Sequence, residues 1–495
     1  MNALIRSSFP CSPSSAVASE NNHVTGQKVR VKVLVVGAGP IGLFAMQQLE
    51  GLQFYHNERL CTGSNKNSFL DRKVLVHDMS PRGHNPNDVK MVSGQKFASL
   101  YDKKTHSYER CLEWHFDSGQ KLDWMMCSDE PVGGSWNTYL PSQQTLSDYR
   151  EMGLPDYPIE QCDVRKIPLP PPPRPCQRVV TDGESLLKYY QDYGKKILTE
   201  SRAVPGRVVS ATQAGSVWQS GLFWDVIVRG AAGQETQIQC DYLMLAIGKK
   251  KPNWLNIPGE RDNPHVSHWT HEACRAMDKL APGSKVLVVG NSFSAGDTIY
   301  EAWQKGMKVI HLLPAKIKEE AISVKNQPGK GGRNPLIQHL NYKRSERHYT
   351  VAEAMACPEK YQVGYEQGLN CSLVGIENQR LCHIVQELAG REAQRFQLEF
   401  DHIALLTGIK VDYPFFPDTL KPSLTQSNGY LDLCPETMES NACQNLFCIG
   451  FSAGESFLSH SLGHAVAAVE TIRKREQDKK AQTMKRDEVV PMEWD

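Results

Sequence analysis

Fourteen cysteines are scattered along the 495 residues, yet no two stand in a Cys-x-x-Cys pair. That absence argues against a zinc ribbon and against a flavin enzyme that relays electrons through a redox disulfide. Thiols scattered in this way suit a reducing compartment, so a cytoplasmic address is expected, with the nucleus as a second. Charge of one sign is lacking too: 56 basic side chains stand against 55 acidic ones, and nothing calls for a nucleic-acid surface. No apolar run approaches the length that spans a bilayer. Residues 1–27 are rich in Ser and Asn, lack the charged start and apolar stretch of a secretory signal, and read as a disordered lead-in. What remains is of ordinary globular composition, 40% hydrophobic and 22% charged. The chain is too long for one core, and its length suggests about three domains.

Two stretches share a plan of β-branched run, glycine-rich turn and amphipathic run. The first reads Val31 to Val36, then Gly37-Ala38-Gly39-Pro40-Ile41-Gly42, then Leu43 to Leu49. The second reads Lys285 to Val289, then Gly290-Asn291-Ser292-Phe293-Ser294-Ala295, then Gly296 to Trp303. In the first, Gly37 permits the tight turn out of the strand and Gly39 lets the backbone approach a pyrophosphate. Gly42 removes a Cβ between helix and strand. The helix that starts there turns unsatisfied N–H groups and a partial positive charge on the phosphates. Strand, turn and helix in sequence distinguish a dinucleotide cradle from a chance glycine turn. Two such cradles in one chain imply electrons passing between two dinucleotides.

A ribose carboxylate is expected about 20 residues beyond the first cradle, and none stands there. Gly51 to Arg72 is polar and reads as an inserted loop, followed by a predicted strand from Lys73 to Asp78. Asp78 is either the ribose ligand or the start of the turn from Met79 to Gly83. In the second cradle Ser292 and Ala295 replace glycines. The next predicted strand, Lys308 to Leu313, ends without a carboxylate and is followed by Lys316. A cation there suits a 2′-phosphate and favours NADPH over NADH; a solvated surface lysine is the alternative.

Between and beyond the cradles, Gly133 and Gly134 beside Trp136 allow backbone to approach a flat ligand. Residues 168–175 form an extended polyproline stretch, a stiff connector or a site for an SH3-type protein partner. Asp182 caps a predicted helix over 183–200, and short strands are expected near Val208, over 224–228 and over 237–240. Asp241 to Gly248 and Asp401 to Gly408 share an acid, an apolar strand and a terminal glycine, as if each closed one nucleotide unit. Asn445 to Phe451 is another buried strand, reaching Gly450. A helix is predicted over 463–474, with the basic run Arg473 to Arg486 as its solvated end. His265, His268, His271 and Cys274 tempt a metal reading. Steps of three spread four side chains over about half a helix circumference, which cannot converge on one ion.

Taken in order, these motifs resemble the flavin-containing monooxygenases over most of residues 30–475. The resemblance takes in the first cradle, Gly133-Gly134-Ser135-Trp136, Ile257-Pro258-Gly259, Val266-Ser267-His268, the Gly290 cradle with Ser294 and Asp297, and Leu406-Thr407-Gly408. Within that superfamily the chain is most similar to the oxidative stress-induced growth inhibitor proteins. It shares Pro131-x-Gly-Gly-Ser-Trp, Thr145-Leu146-Ser147, Met152-Gly153-Leu154-Pro155 and the shape of Ile449-Gly450 to Glu455-Ser456-Phe457. The resemblance implies an α/β protein with two Rossmann-like dinucleotide-binding domains. An FAD domain (28–250 and 411–475) would hold an inserted NADPH domain (251–410), with a flexible tail over 476–495. FAD would lie in the Gly37 cradle, its ring near Gly133 to Trp136, with the strand-end glycines Gly248, Gly408 and Gly450 also at the cofactors. NADPH would reduce the flavin, which takes up O₂ as a peroxide and passes one oxygen to a small molecule. The cofactors supply the hard chemistry, and the protein aligns them and excludes water.

The chain departs from that pattern at one place that matters. The family usually carries an asparagine after the Gly-Gly-x-Trp loop, whose amide helps hold the flavin peroxide. Here the region reads Ser142-Gln143-Gln144-Thr145, and Gln144 offers the same amide on a longer arm. The terminal Gly-Asp common to FAD folds is altered to Gly450-Phe451, with Glu455 the nearest acid. Without a good donor the peroxide would decay to H₂O₂. The leading expectation is therefore an FAD- and NADPH-dependent monooxygenase. The alternative is a flavin-binding regulatory protein of stress or growth signalling, with NADPH oxidase activity at most.

Overall fold

The computed structural model describes residues 28–56, 112–169, 179–216, 221–327, 333–338, 340, 345–361, 364–455 and 458–487. Asp78, most of the polyproline stretch and the segment 1–27 lie outside these residues.

The chain starts with β1 (Lys28–Val36) and α1 (Pro40–Leu49), then the antiparallel pair β2 (Leu52–His56) and β3 (Leu112–Phe116), then β4 (Trp124–Ser128). A short pair, β5 (Ile167–Pro168) and β6 (Val179–Val180), leads to α2 (Gly183–Ile197). Next come β7 (Ala203–Pro205), β8 (Arg207–Ser216), β9 (Gly221–Arg229) and β10 (Glu235–Leu245). After β11 (Lys251–Pro252) the second unit runs β12 (Val266–Ser267), α3 (Thr270–Met277), β13 (Lys285–Val289), α4 (Phe293–Gln304) and β14 (Lys308–Leu313). It continues with α5 (Ala315–Asn326), α6 (Glu346–Ala356), β15 (Tyr365–Leu369), β16 (Cys371–Glu377), β17 (Leu381–Gln386), β18 (Gln394–Glu399) and β19 (His402–Leu405). Finally β20 (Ile409–Lys410) pairs with β11, and β21 (Leu446–Cys448) and α7 (Leu458–Asp487) return to the first unit.

Two sheets result. The first has the order β7-β4-β1-β10-β9-β8, with β21 parallel to the end of β10. Its centre, β4-β1-β10-β21, is parallel. The run Val33 to Val36 is buried throughout, as a strand covered on both faces requires. Helices α1, α2 and α7 cover one face through Leu43, Phe44, Tyr190, Tyr193, Leu462 and Val469. The second sheet, β12-β19-β13-β14-β15, is wholly parallel. Helices α3 to α6 cover one face, and the antiparallel trio β16-β17-β18 covers the other.

Three expectations are corrected. The polar stretch after α1 is not loop from its start, because Leu52–His56 pairs with Leu112–Phe116. The terminal helix begins at Leu458 and runs to Asp487, so the expected flexible tail from 476 is helical for its first half. Glu476 anchors it, accepting hydrogen bonds from Tyr242 (2.8 Å) and Lys479 (2.8 Å) and pairing with Lys32 (2.9 Å). Nor is Arg473 solvated: it is 2% exposed. Its guanidinium donates to the carbonyls of Gln48, Leu52 and Gln120 and pairs with Glu470. Of these only the Gln48 carbonyl belongs to α1; it also accepts from Gly51 N (2.8 Å), and the cation joins it at the negative end of the helix dipole.

Candidate functional site

At the carboxyl end of β1 the chain turns through Gly37 (φ 113°), whose N–H donates to the carbonyl of Cys127 (2.8 Å). A Cβ on Gly37 would run into the carbonyl oxygen of Ala246, and one on Gly42 into the carbonyl oxygen of Gly37. Both glycines are therefore demanded by the protein's own packing. Gly39 is different. It has φ −75° and ψ 174°, open to any residue, and the nearest heavy atom to a Cβ there is Gly134 Cα at 3.9 Å. Pro40 occupies the first helical turn, where its missing N–H costs nothing. Neither a side-chain cap nor an acidic first-turn residue competes for the helix terminus.

The loop expected to meet a flat ligand lies on this cradle. Gly133 (φ 107°) donates to the carbonyl of Ala38 (2.9 Å), and a Cβ on Gly134 (φ 57°) would stand 2.8 Å from Gly39 Cα. The Asn137 amide staples the loop, donating to the carbonyls of Gly134 (2.9 Å), Pro131 (3.1 Å) and Val132 (3.2 Å). Half-buried Trp136 meets Tyr139 edge-on at 5.0 Å. Gly248 (φ 67°) follows the end of β10, and Gly450 (φ 71°) abuts Ile41, 3.2 Å from where its Cβ would lie. The parallel neighbour of β1 on this side is β4, and the acid at its end is Asp129. Asp129 pairs with Lys250 (2.8 Å) and Arg207 (3.1 Å), which hold its carboxyl below the usual range against the opposing effect of burial. Sequence reading missed Asp129, although an apolar run leading into Asp-Glu and Gly-Gly was there to be read.

The second cradle repeats the first. Gly290 (φ 141°) turns out of β13, and its Cβ would strike the carbonyl oxygen of Leu406, as that of Gly37 would strike Ala246. Ser292 has an extended backbone (φ −120°, ψ −170°) that needs no glycine, and its hydroxyl does not cap α4. Ala295 is fully buried, whereas Ser294 is exposed. His311, on the adjacent strand β14, reaches the Gly290 carbonyl from Nε2 (2.5 Å), with Nδ1 3.0 Å from the Tyr365 hydroxyl. Burial lowers its pKa to about 4, so the neutral ring donates to the carbonyl and accepts from the phenol. Lys316 is exposed on the first turn of α5, just past the end of β14. Gly408 (φ 100°) belongs to the crossover instead: its carbonyl accepts from Asn253 N (2.9 Å), beside the Thr407–Asn253 bond.

A loop joins the two cradles. From Trp136 the chain runs to Leu140, which packs against the core of the second unit. Ser142 then donates to Glu301 of α4 (3.3 Å), and Glu301 pairs with Arg347 (2.9 Å). Beside that pair Asp297 stands 3.1 Å from His348. Gln144 pairs through its backbone with Asp182, the cap of α2, and its Oε1 is buried without a hydrogen-bond partner. Among the described residues no cluster of His, Cys, Asp or Glu could hold a metal. His268 turns to Glu260 (3.0 Å), and Cys274 is in the second core. No helix among the described residues is long and apolar enough to cross a membrane.

A family model described as pyridine nucleotide-disulphide oxidoreductase matches residues 130–450. The chain is similar to human oxidative stress-induced growth inhibitor 1, 23% identical over 486 residues that cover 90% of this chain and 95% of that protein. Among solved structures it is similar to bacillithiol disulfide reductase from Staphylococcus aureus, with a TM-score of 0.54, 15% identity, and coverage of 91% and 100%. The reduced form of ornithine hydroxylase from Pseudomonas aeruginosa gives a TM-score of 0.55, 12% identity, and coverage of 90% and 100%. At these identities the two structures show a shared fold.

Proposed function

The chain belongs to the pyridine nucleotide-disulphide oxidoreductase family, and on that ground we propose that it is an FAD- and NADPH-dependent monooxygenase acting on a small molecule. The observation that carries this reading is the duplicated cradle, Gly37 against Ala246 and Gly290 against Leu406, with one loop reaching from the first to the helix of the second. The residues fit both nucleotides. Gly39 is open where a pyrophosphate would lie, and uncapped α1 and α4 offer N–H groups to the phosphates. Gly133, Gly134 and Trp136 would face the flavin, and Asp129 stands at the strand end where a ribose hydroxyl is met. Ser292 and Ser294 would serve the second pyrophosphate, and exposed Lys316 a 2′-phosphate. Bound flavin would accept hydride from NADPH and activate O₂, so that NADPH, a proton, O₂ and substrate yield NADP⁺, water and oxygenated substrate.

The chain's own part is placement. Leu140 and Ser142 hold the second unit against the flavin loop, and Gln144 offers a buried amide near that junction. The thiols beside the first cradle do not suit disulfide exchange: burial raises Cys127 to about 12 and Cys448 to about 11, far from a reactive thiolate. The name of the human relative favours a second reading, a flavin-binding regulator of growth under oxidative stress. Purified protein tests both. NADPH consumption that rises with a substrate and yields oxygenated product supports the monooxygenase. Consumption recovered wholly as H₂O₂ favours the regulator, and a chain that stays colourless in excess FAD ends both readings.

A further inference from the structure

The outer strand of the β16-β17-β18 trio is β18, and no strand among the described residues pairs its far side. All six of its residues are exposed. Free edges are commonly blunted by proline, lysine or a bulge. Gln394–Glu399 has neither residue type, and its register with β17 is unbroken. Phe396 and Leu398 stand opposite Ile384 and Cys382, so they continue the apolar face of the trio outward, 39% and 38% exposed. The backbone phase is fixed as well. Phe400 N donates to Arg380 O (3.1 Å), so even-numbered residues of β18 turn their polar groups to β17. Arg395, Gln397 and Glu399 turn theirs outward.

We propose that β18 pairs antiparallel with β18 of a second copy, about a two-fold axis through Gln397, to make one continuous six-stranded sheet. The strand is self-complementary in that register alone. Each Arg395 meets Glu399 of the partner subunit, each Phe396 meets the partner's Leu398, and the two Gln397 residues face each other. The outward N–H and C=O groups of 395, 397 and 399 then form about six ladder hydrogen bonds. Moving the axis by one residue sets Arg395 or Glu399 opposite Gln397 and loses both charge pairs. The interface is isologous, so the association closes at a dimer. It involves neither cradle and is independent of the proposed chemistry.

Sedimentation velocity on the full chain over about 1–100 µM tests this, with FAD content and melting temperature as controls for folding. Wild-type protein is expected to pass from monomer to dimer in that range. Arg395→Glu and Glu399→Arg each set like charges opposite and weaken the dimer about tenfold or more. The double variant Arg395→Glu/Glu399→Arg restores it, and an equimolar mixture of the two single variants associates more tightly than either does alone. Gln397→Pro abolishes it. A wild-type chain that stays monomeric at 100 µM, or a dimer indifferent to the charge changes, overturns the proposal.

Discussion

Alanine at Gly39 tests whether that glycine serves a ligand, because the protein itself has no use for it. The backbone there (φ −75°, ψ 174°) accepts alanine, and the new methyl would find no heavy atom nearer than 3.9 Å. Apo-protein should gain about 0.4–1 kcal/mol, since the unfolded chain loses freedom. In the proposed complex the methyl stands against the pyrophosphate. Losing one charge-assisted hydrogen bond there costs about 1.5–3 kcal/mol, or about 10–150-fold in Kd for FAD. Gly42→Ala is the contrast: its Cβ meets the Gly37 carbonyl, so stability and FAD binding should fall together. Flavin fluorescence titration and urea unfolding of the same apo-proteins give both readouts. Wild-type FAD affinity in Gly39→Ala would refute the reasoning. So would an apo-protein destabilised by more than about 1 kcal/mol, which exceeds any expected effect of the methyl.

Arg473→Met leaves Glu470 and three carbonyls without their buried cation. It should cost about 3–5 kcal/mol in urea unfolding, and a loss under about 1 kcal/mol, the scale of an exposed pair, would contradict the burial argument. Burial holds His311, His402 and His464 at about 4, below the ordinary 6.5. Between those values the unfolded chain binds more protons, so stability falls as pH drops from 6.5 towards 4. Asp156, raised by burial to about 6 from 3.8, holds its proton in the native state and opposes this as one group against three. Urea midpoints should therefore be lower at pH 4.5 than at pH 7, and the reverse order would sink the account. Gln144→Ala should raise the ratio of H₂O₂ to oxygenated product about a hundredfold, the low end of the effect of deleting one hydrogen-bonding group at a reacting centre. An unchanged ratio removes Gln144 from the mechanism. Lys316→Ala should raise the KM for NADPH about tenfold, the lower range for a charge-assisted bond, and leave NADH unaffected. Equal changes for both would make Lys316 a plain surface residue.

The cradles were legible because their signals are local. A β-branched run, a glycine turn and an amphipathic helix lie within about twenty residues of one another, and the capped helix after Asp182 is of the same kind. What could not be read depends on contacts across the chain. Gly134 lies on Gly39, and His311 reaches Gly290 from the neighbouring strand. The strand beside β1 is β4, so Asp129 comes to the first cradle from beyond a long excursion, whereas the next predicted strand along the sequence ended at Asp78. Arg473 looked like one of several surface cations, since only the fold brings Gln48, Leu52 and Gln120 to it. Ser292 replaces a glycine of the pattern, and its extended backbone shows that the position has no need of one.

The crossover ribbon has a bearing on modularity. Lys251 and Lys410 are register partners in β11 and β20, so the polypeptide leaves the first unit and re-enters it at adjoining points. The 156 residues from Asn253 to Gly408 thus form a cassette that a tight turn between Pro252 and Ile409 could replace without moving either strand. The excised first unit would then bare Leu140 and release Ser142 from Glu301, the two contacts a graft of another nucleotide module would have to rebuild.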